Sequence, residues 1–140
     1  MAVPVISNLC RILGRVYPSF AGCIFLALGI ASLIQPEIMS YYAIGLDQPS
    51  ARVAMRAMIG GGEIGIGVVL ILGGRINLSS RQLSLIAAAI FICVGLSRVT
   101  AVFMESAEVL AVQPLREALI EILLGGLGLL AARGWENDQL

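Results

Sequence analysis

Residues 51–72 read ARVAMRAMIGGGEIGIGVVLIL, an apolar and glycine-rich run interrupted only by Arg52, Arg56 and Glu63. A helix needs about 20 such residues to cross the hydrocarbon core of a bilayer, so the run predicts a membrane span. Arg56 and Glu63 stand seven residues apart, about two helical turns, and with Arg52 they mark one stripe. An unpaired charge inside a span costs at least about 2.5 kcal/mol on insertion scales, so this stripe must meet other charges or a wet cavity.

Three more segments follow the same logic. The first runs over 18–34 and ends at Gln35-Pro36, since proline opens a turn more readily than it continues a helix. The others are expected over 83–104 and 115–132, the last opened by Pro114. Before them, Val5, Ile6, Leu9, Ile12, Leu13 and Val16 fall at helical spacing opposite Asn8, Arg11 and Arg15, which predicts an interfacial amphipathic helix over 1–16. The expected architecture is all-α: one integral membrane domain over 1–140, a four-helix bundle preceded by that interfacial helix. A 59% hydrophobic composition with 13% charged residues, at a mean hydropathy of +0.95, places the chain outside the range of soluble globular domains.

The connections carry turn and boundary signals. Tyr41 and Tyr42 suit a membrane–water boundary, Asp47-Gln48-Pro49 is a turn, and Gly73-Gly74 followed by the polar stretch to Gln82 separates the second span from the third. Glu105 and Glu108 make an acidic connection, and the polar tail from Arg133 holds Trp135 near a boundary. In a four-span arrangement Arg11, Arg15, Arg75, Arg81 and Arg133 share one side, facing Glu37, Asp47, Glu105 and Glu108 across it. The positive-inside rule then puts both termini in the cytoplasm, with Arg52 as the exception at the outer mouth of the second helix.

Within the spans, Arg98 joins Arg56 and Glu63, and Glu117 and Glu121 lie one turn apart on the fourth helix. Counting inward at about 1.5 Å per residue places Arg56, Arg98 and Glu121 roughly 7 to 11 Å from the outer surface, with Glu63 deeper and Glu117 shallower. The expected arrangement is a network in which Arg56 and Arg98 are shared among Glu63, Glu117 and Glu121. It either fixes helix register or forms the polar end of a pocket for a small amphiphile, a lipid or a quinone. Glycine forms the second constellation: Gly60, Gly61 and Gly62 beside Glu63, and Gly125, Gly126 and Gly128 below Glu121, are expected to let helices approach closely, as are Gly22 and Gly29. A phosphate-binding glycine loop does not fit, for no strand precedes these glycines and no lysine follows.

The nine arginines balance nine acidic residues without a basic run, so nucleic acid is not an expected partner. Histidine is absent, and Cys10, Cys23 and Cys93 show no ligand spacing, so neither a metal nor a haem is expected. Cys10 is placed for modification at the membrane surface, whereas Cys23 and Cys93 are expected to be buried and to serve as small apolar residues. Carboxylates beside arginines are held ionised, the opposite of what a general base near neutrality requires, so no catalytic residue is assigned.

The order Arg56-Ala-Met-Ile-Gly60-Gly61-Gly62-Glu63, then Gly95-Leu-Ser-Arg98, then Arg116-Glu117 and Glu121, resembles a group of small bacterial four-helix membrane proteins. That group is a domain family of unknown function similar in architecture to the DoxX-like proteins. The resemblance covers about 51–132 and implies four helices and an Arg/Glu cluster at Arg56, Glu63, Arg98 and Glu121. It also implies the bacterial inner membrane. Some DoxX-like proteins are tied to quinone or thiol redox chemistry, and this sequence lacks the cysteine pair that thiol chemistry would use. The expected function is therefore a non-enzymatic accessory or assembly subunit, in contact with membrane lipids and with other membrane subunits or copies of itself. The alternative is a binder or transporter of a small amphiphile.

Overall fold

A computed structural model of the chain describes residues 3–42, 45–104 and 112–133, and these are almost entirely helical. Helix α1 covers Val3–Ile34, a 3-10 turn covers Pro36–Tyr42, and α2 begins at Pro49–Met55. A π-helical segment, Arg56–Gly61, leads into α3, Gly62–Leu72, and a 3-10 turn, Gly73–Ile76. Two long helices complete the chain, α4 over Ser80–Met104 and α5 over Val112–Arg133. The connection with Glu105 and Glu108, the tail with Trp135 and the side chain of Cys10 lie outside the described residues.

Among the described residues three stretches are long and apolar enough to cross a membrane: Ile12–Ile34, Pro49–Ile76 and Ser80–Met104. Helix α5 spans 22 residues but carries Arg116, Glu117 and Glu121 in its first half, and it is not among the three. Apolar side chains crowd the outside of these helices: Ile34 is 73% exposed, Met58 76% and Phe103 83%. Such a surface would associate in water.

The amphipathic segment expected over 1–16 and the span expected over 18–34 are one continuous helix. Pro18 removes one i to i−4 bond and its ring crowds the carbonyl of the residue four before it, Gly14. Its preset φ nevertheless suits a helix, and the apolar spacing of the first segment passes directly into the second. The other ends follow the sequence signals. Gln35 donates its N–H to Ala31 and Pro36, with no N–H, ends α1. Asn77 adopts φ 64° and closes the 3-10 turn in a left-handed conformation that asparagine tolerates. Helix α4 starts three residues earlier than the apolar pattern suggested because Ser79 and Gln82 form a capping box: the Gln82 N–H donates to Ser79 Oγ at 3.2 Å, and the Ser79 N–H donates to Gln82 Oε1 at 2.8 Å.

The described chain divides into two compact units, one from Ser19–Asn77 and one from the chain up to Pro18 together with residues from Leu78 onward. In the Ser19–Asn77 unit, α1 runs antiparallel to the α2–α3 stretch and touches it at two glycine pairs. A Cβ on Gly29 would lie 2.8 Å from the Gly60 carbonyl oxygen, and one on Gly67 would lie 2.8 Å from that of Gly22. The pairs Gly22·Gly67 and Gly29·Gly60 are seven residues apart on both helices, about two turns, so backbone meets backbone along one seam.

The other unit rests on α4 and α5, also antiparallel. A Cβ on Gly95 would stand 3.0 Å from the Ala118 carbonyl oxygen, and one on Gly125 would stand 3.1 Å from that of Ala88. Ser84, Ala87, Ala88 and Ala118 are buried along this seam. Tyr17 of α1 completes the unit by lying over Gly128, whose missing side chain leaves room for the ring, and donating its hydroxyl to the Leu124 carbonyl at 2.9 Å.

A substitution series on the glycines separates seam from surface. Gly67→Leu forces atoms into the backbone of α1 and is expected to lower stability by about 1–3 kcal/mol. Gly65→Ala, where an added Cβ meets nothing within 4 Å, is expected to be neutral or to stabilise by up to about 1 kcal/mol through helix propensity. Unfolding of the purified variants in detergent measures both.

Candidate functional site

The antiparallel contact of Gly95 with Ala118 determines what faces Arg98. One turn beyond Gly95, Arg98 projects between Glu117 and Glu121, which flank Ala118 at helical spacing. Its Nε–H is shared by both oxygens of Glu121, at 2.9 and 3.0 Å, and Nη1 stands 3.0 Å from Glu117 Oε2. The Glu117 contact is an ion pair by distance without hydrogen-bond alignment, so the Glu121 contact is the more directional of the two. The three side chains are 29%, 17% and 16% exposed, so the pair is desolvated enough for its geometry to matter. Fully ionised, these three groups carry one positive and two negative charges.

Arg56 and Glu63 belong to the Ser19–Asn77 unit, and neither takes part in an ion pair among the described residues. Arg56 donates from Nε to the Leu33 carbonyl at 3.0 Å. Leu33 lies in the last turn of α1, where carbonyls lack intrahelical donors and the helix dipole favours a cation, so Arg56 caps that helix. Arg52 behaves similarly, donating from Nη1 to the Leu46 carbonyl at 3.1 Å. Sequence spacing places Arg56 inside a stretch long and apolar enough to cross a membrane. It held no signal for a backbone carbonyl 23 positions away as the acceptor.

Glu63 is the second residue of α3, separated from the π segment by Gly62. Three successive glycines, Gly60–Gly62, give that turn little intrinsic preference for α geometry, and a widened turn of this kind is common where a helix serves a site. The Glu63 oxygen Oε2 is buried and has no hydrogen-bond partner. Ser84 Oγ, on α4, is also buried without one.

The glycines expected to pack are not equivalent. Gly60 lies in the seam with α1, Gly125 in the seam with α5's neighbour α4, and Gly128 beneath Tyr17. Gly61, Gly62, Gly65 and Gly126 instead face open space: apart from the Arg56 carbonyl oxygen 3.9 Å from Gly61, nothing described would meet a Cβ within 4 Å. Successive residues in a helix point about 100° apart, so three adjacent glycines cannot all face one neighbour. Cys23 and Cys93, expected to be buried, instead lie on exposed helix faces as free thiols. Among the described residues no group of three or more Cys, Asp or Glu is placed to hold a metal ion.

Residues 13–132 match the family model of DUF4345, a domain of unknown function, and the chain belongs to that family. No curated protein matches the chain, and no solved structure does.

If Arg98 is held as described, Arg98→Gln leaves two carboxylates a turn apart without their cation. Breaking a buried pair this way is expected to lower stability by about 3 kcal/mol. Adding Glu117→Gln and Glu121→Gln to the same chain should recover more than half of that loss, because the repulsion and the unpaired charge disappear together. A thermal or denaturant unfolding cycle on the single and triple variants reads the difference.

Proposed function

We propose that this member of the DUF4345 family is a four-span protein of the bacterial inner membrane, with both termini in the cytoplasm, that works without enzymatic chemistry as an accessory or assembly subunit. The observation that carries the reading is the open glycine face on the Pro49–Ile76 stretch. Gly61 and Gly65 are one turn apart, Gly62 adjoins them, and all three are exposed with room above them. Exposed Val68, Val69 and Leu72 continue the apolar surface beyond them. The same chain uses Gly22, Gly29, Gly60 and Gly67 to bring its own helices into backbone contact, so the unfilled glycines offer a second helix the same close approach.

Membrane residence is supported by the three apolar stretches and by apolar side chains facing outward along them. A fourth span through α5 is reasonable because Glu117 and Glu121 both lie against Arg98, which lowers the penalty for burying them. Orientation rests on arginine placement, with Arg11, Arg15, Arg75, Arg81 and Arg133 on one side.

A second reading is favoured by the Glu63 oxygen that has no partner and by the negative excess at Arg98. In it, either charged group is the polar end of a site for a small amphiphile such as a lipid or quinone. The triple variant Arg98→Gln, Glu117→Gln and Glu121→Gln, expected above to recover most of the stability lost by Arg98→Gln alone, would then abolish retention of that amphiphile while leaving expression intact.

Purification of the full chain from native membranes in mild detergent, with mass spectrometry of what stays bound, tests the first reading. A stoichiometric protein partner, or a second copy, is expected, and Gly61→Leu with Gly65→Leu should reduce its recovery at least tenfold without lowering the unfolding temperature of the isolated chain. Recovery of the chain as a monomer with no partner would overturn the accessory role.

A further inference from the structure

Two arginines of the Pro49–Ile76 stretch carry charge that nothing in their own unit neutralises. Arg52 and Arg56 stand one turn apart on the same helix face, and both are half-buried. Each commits a single N–H to a neutral carbonyl, Arg52 through Nη1 to Leu46 and Arg56 through Nε to Leu33. A guanidinium group has five N–H donors, so four remain on each side chain. Among the described residues neither arginine has a carboxylate partner. Glu37 and Asp47, in the connection before them, are exposed and form no ion pair with either, and Glu63, two turns deeper than Arg56, does not reach them.

Their depth decides what they can meet. The stretch has 28 residues, and at about 1.5 Å per residue its length of about 42 Å matches a bilayer with its headgroup layers rather than the hydrocarbon core alone. Arg52 then lies about 4.5 Å from the end, among the headgroups, and Arg56 about 10 Å in, just below them. Helical side chains lean toward the N-terminus, and a long arginine extends its charged head toward the surface, so the Arg56 guanidinium returns toward the level of Arg52. Its bond to Leu33, one residue before the end of α1, fits that level. The two carbonyl bonds hold both guanidiniums in place before any ligand arrives, which lowers the ordering cost of binding.

The geometry points to an anionic phospholipid whose phosphate is held between Arg52 and Arg56 at the bilayer surface. A guanidinium matches a phosphate with paired N–H donors, and the free donors of two of them can grip one phosphate from both sides. The last carbonyls of α1 offset only about half a unit of charge, so the pair stays positive overall. A zwitterionic headgroup would bring its own ammonium beside that charge, whereas an anionic one adds no repulsion. Depth selects a lipid over free phosphate, because a soluble anion would have to leave water to meet Arg56 and a phospholipid already carries its phosphate at that level. This site rests on the membrane residence proposed above, but neither on which face is cytoplasmic nor on the open glycine face.

The full chain reconstituted in nanodiscs of equal dioleoylphosphatidylglycerol and dioleoylphosphatidylcholine, then released into native mass spectrometry, tests the assignment. Retained phosphatidylglycerol is expected to exceed phosphatidylcholine by about tenfold. Arg52→Gln with Arg56→Gln should bring the ratio near one, whereas Arg75→Gln with Arg133→Gln, which removes the same charge elsewhere, should leave most of the preference. Arg52→Lys with Arg56→Lys keeps the charge and a donor for each carbonyl but loses the fork, and should lower the preference to about threefold. That pair decides the question if the glutamine pair does not fold, and a full tenfold preference in it would overturn recognition by guanidinium. A chain that enters the discs and shows no preference, or a preference that survives the glutamine pair or falls equally in the Arg75 and Arg133 variant, overturns the site and leaves membrane residence standing. Full displacement of the lipid by millimolar inorganic phosphate would overturn the lipid as its ligand. Failure of the unmodified chain to enter the discs would overturn the site and the residence together.

Discussion

Backbone contact through glycine is the constraint on which the rest of the structure depends. When the outside of a helix is as apolar as its inside, burial of apolar surface no longer tells helices where to meet, and association relies on close packing and polar contacts. Gly22·Gly67 and Gly29·Gly60 meet that requirement in one unit, and Gly95 with Ala118 and Gly125 with Ala88 meet it in the other. Each position brings a carbonyl oxygen to where a Cβ would stand. No larger residue could occupy these positions without pushing the helices apart.

The polar contacts follow from that approach. Arg98 reaches both Glu117 and Glu121 because the helices nearly touch one turn away, and Tyr17 reaches the Leu124 carbonyl because Gly128 leaves space for its ring. Arg56 reaches the end of α1 one helical turn before the Gly60 contact. Small residues and charges thus occupy neighbouring turns: the first set the separation and the second fix rotation and register. This division explains how a chain with few charges can place them so specifically.

The glycines left over are the ones on which the proposed role rests. An exposed glycine in a helix has a conformational penalty and no packing within its own chain to offset it, so Gly61, Gly62, Gly65 and Gly126 are local weaknesses unless something outside the chain covers them. On the Pro49–Ile76 stretch, the role proposed above covers the smooth face with a helix from a partner.

Periodicity and composition were sufficient to read the helices, since apolar runs, proline and glycine act locally and leave their marks within a few residues. Residues 51–72, the Gln35-Pro36 stop and the Arg98, Glu117 and Glu121 positions were all legible in this way. The continuity of α1 through Pro18 was not, because whether proline ends a helix depends on the chain around it. Nor was the carbonyl acceptor of Arg56, or the division of one glycine cluster into a packed residue and two open ones. Those outcomes depend on which helix lies opposite and at what rotation, and only tertiary packing decides that: the sequence by itself names the charged and small residues, and the packed helices choose their partners.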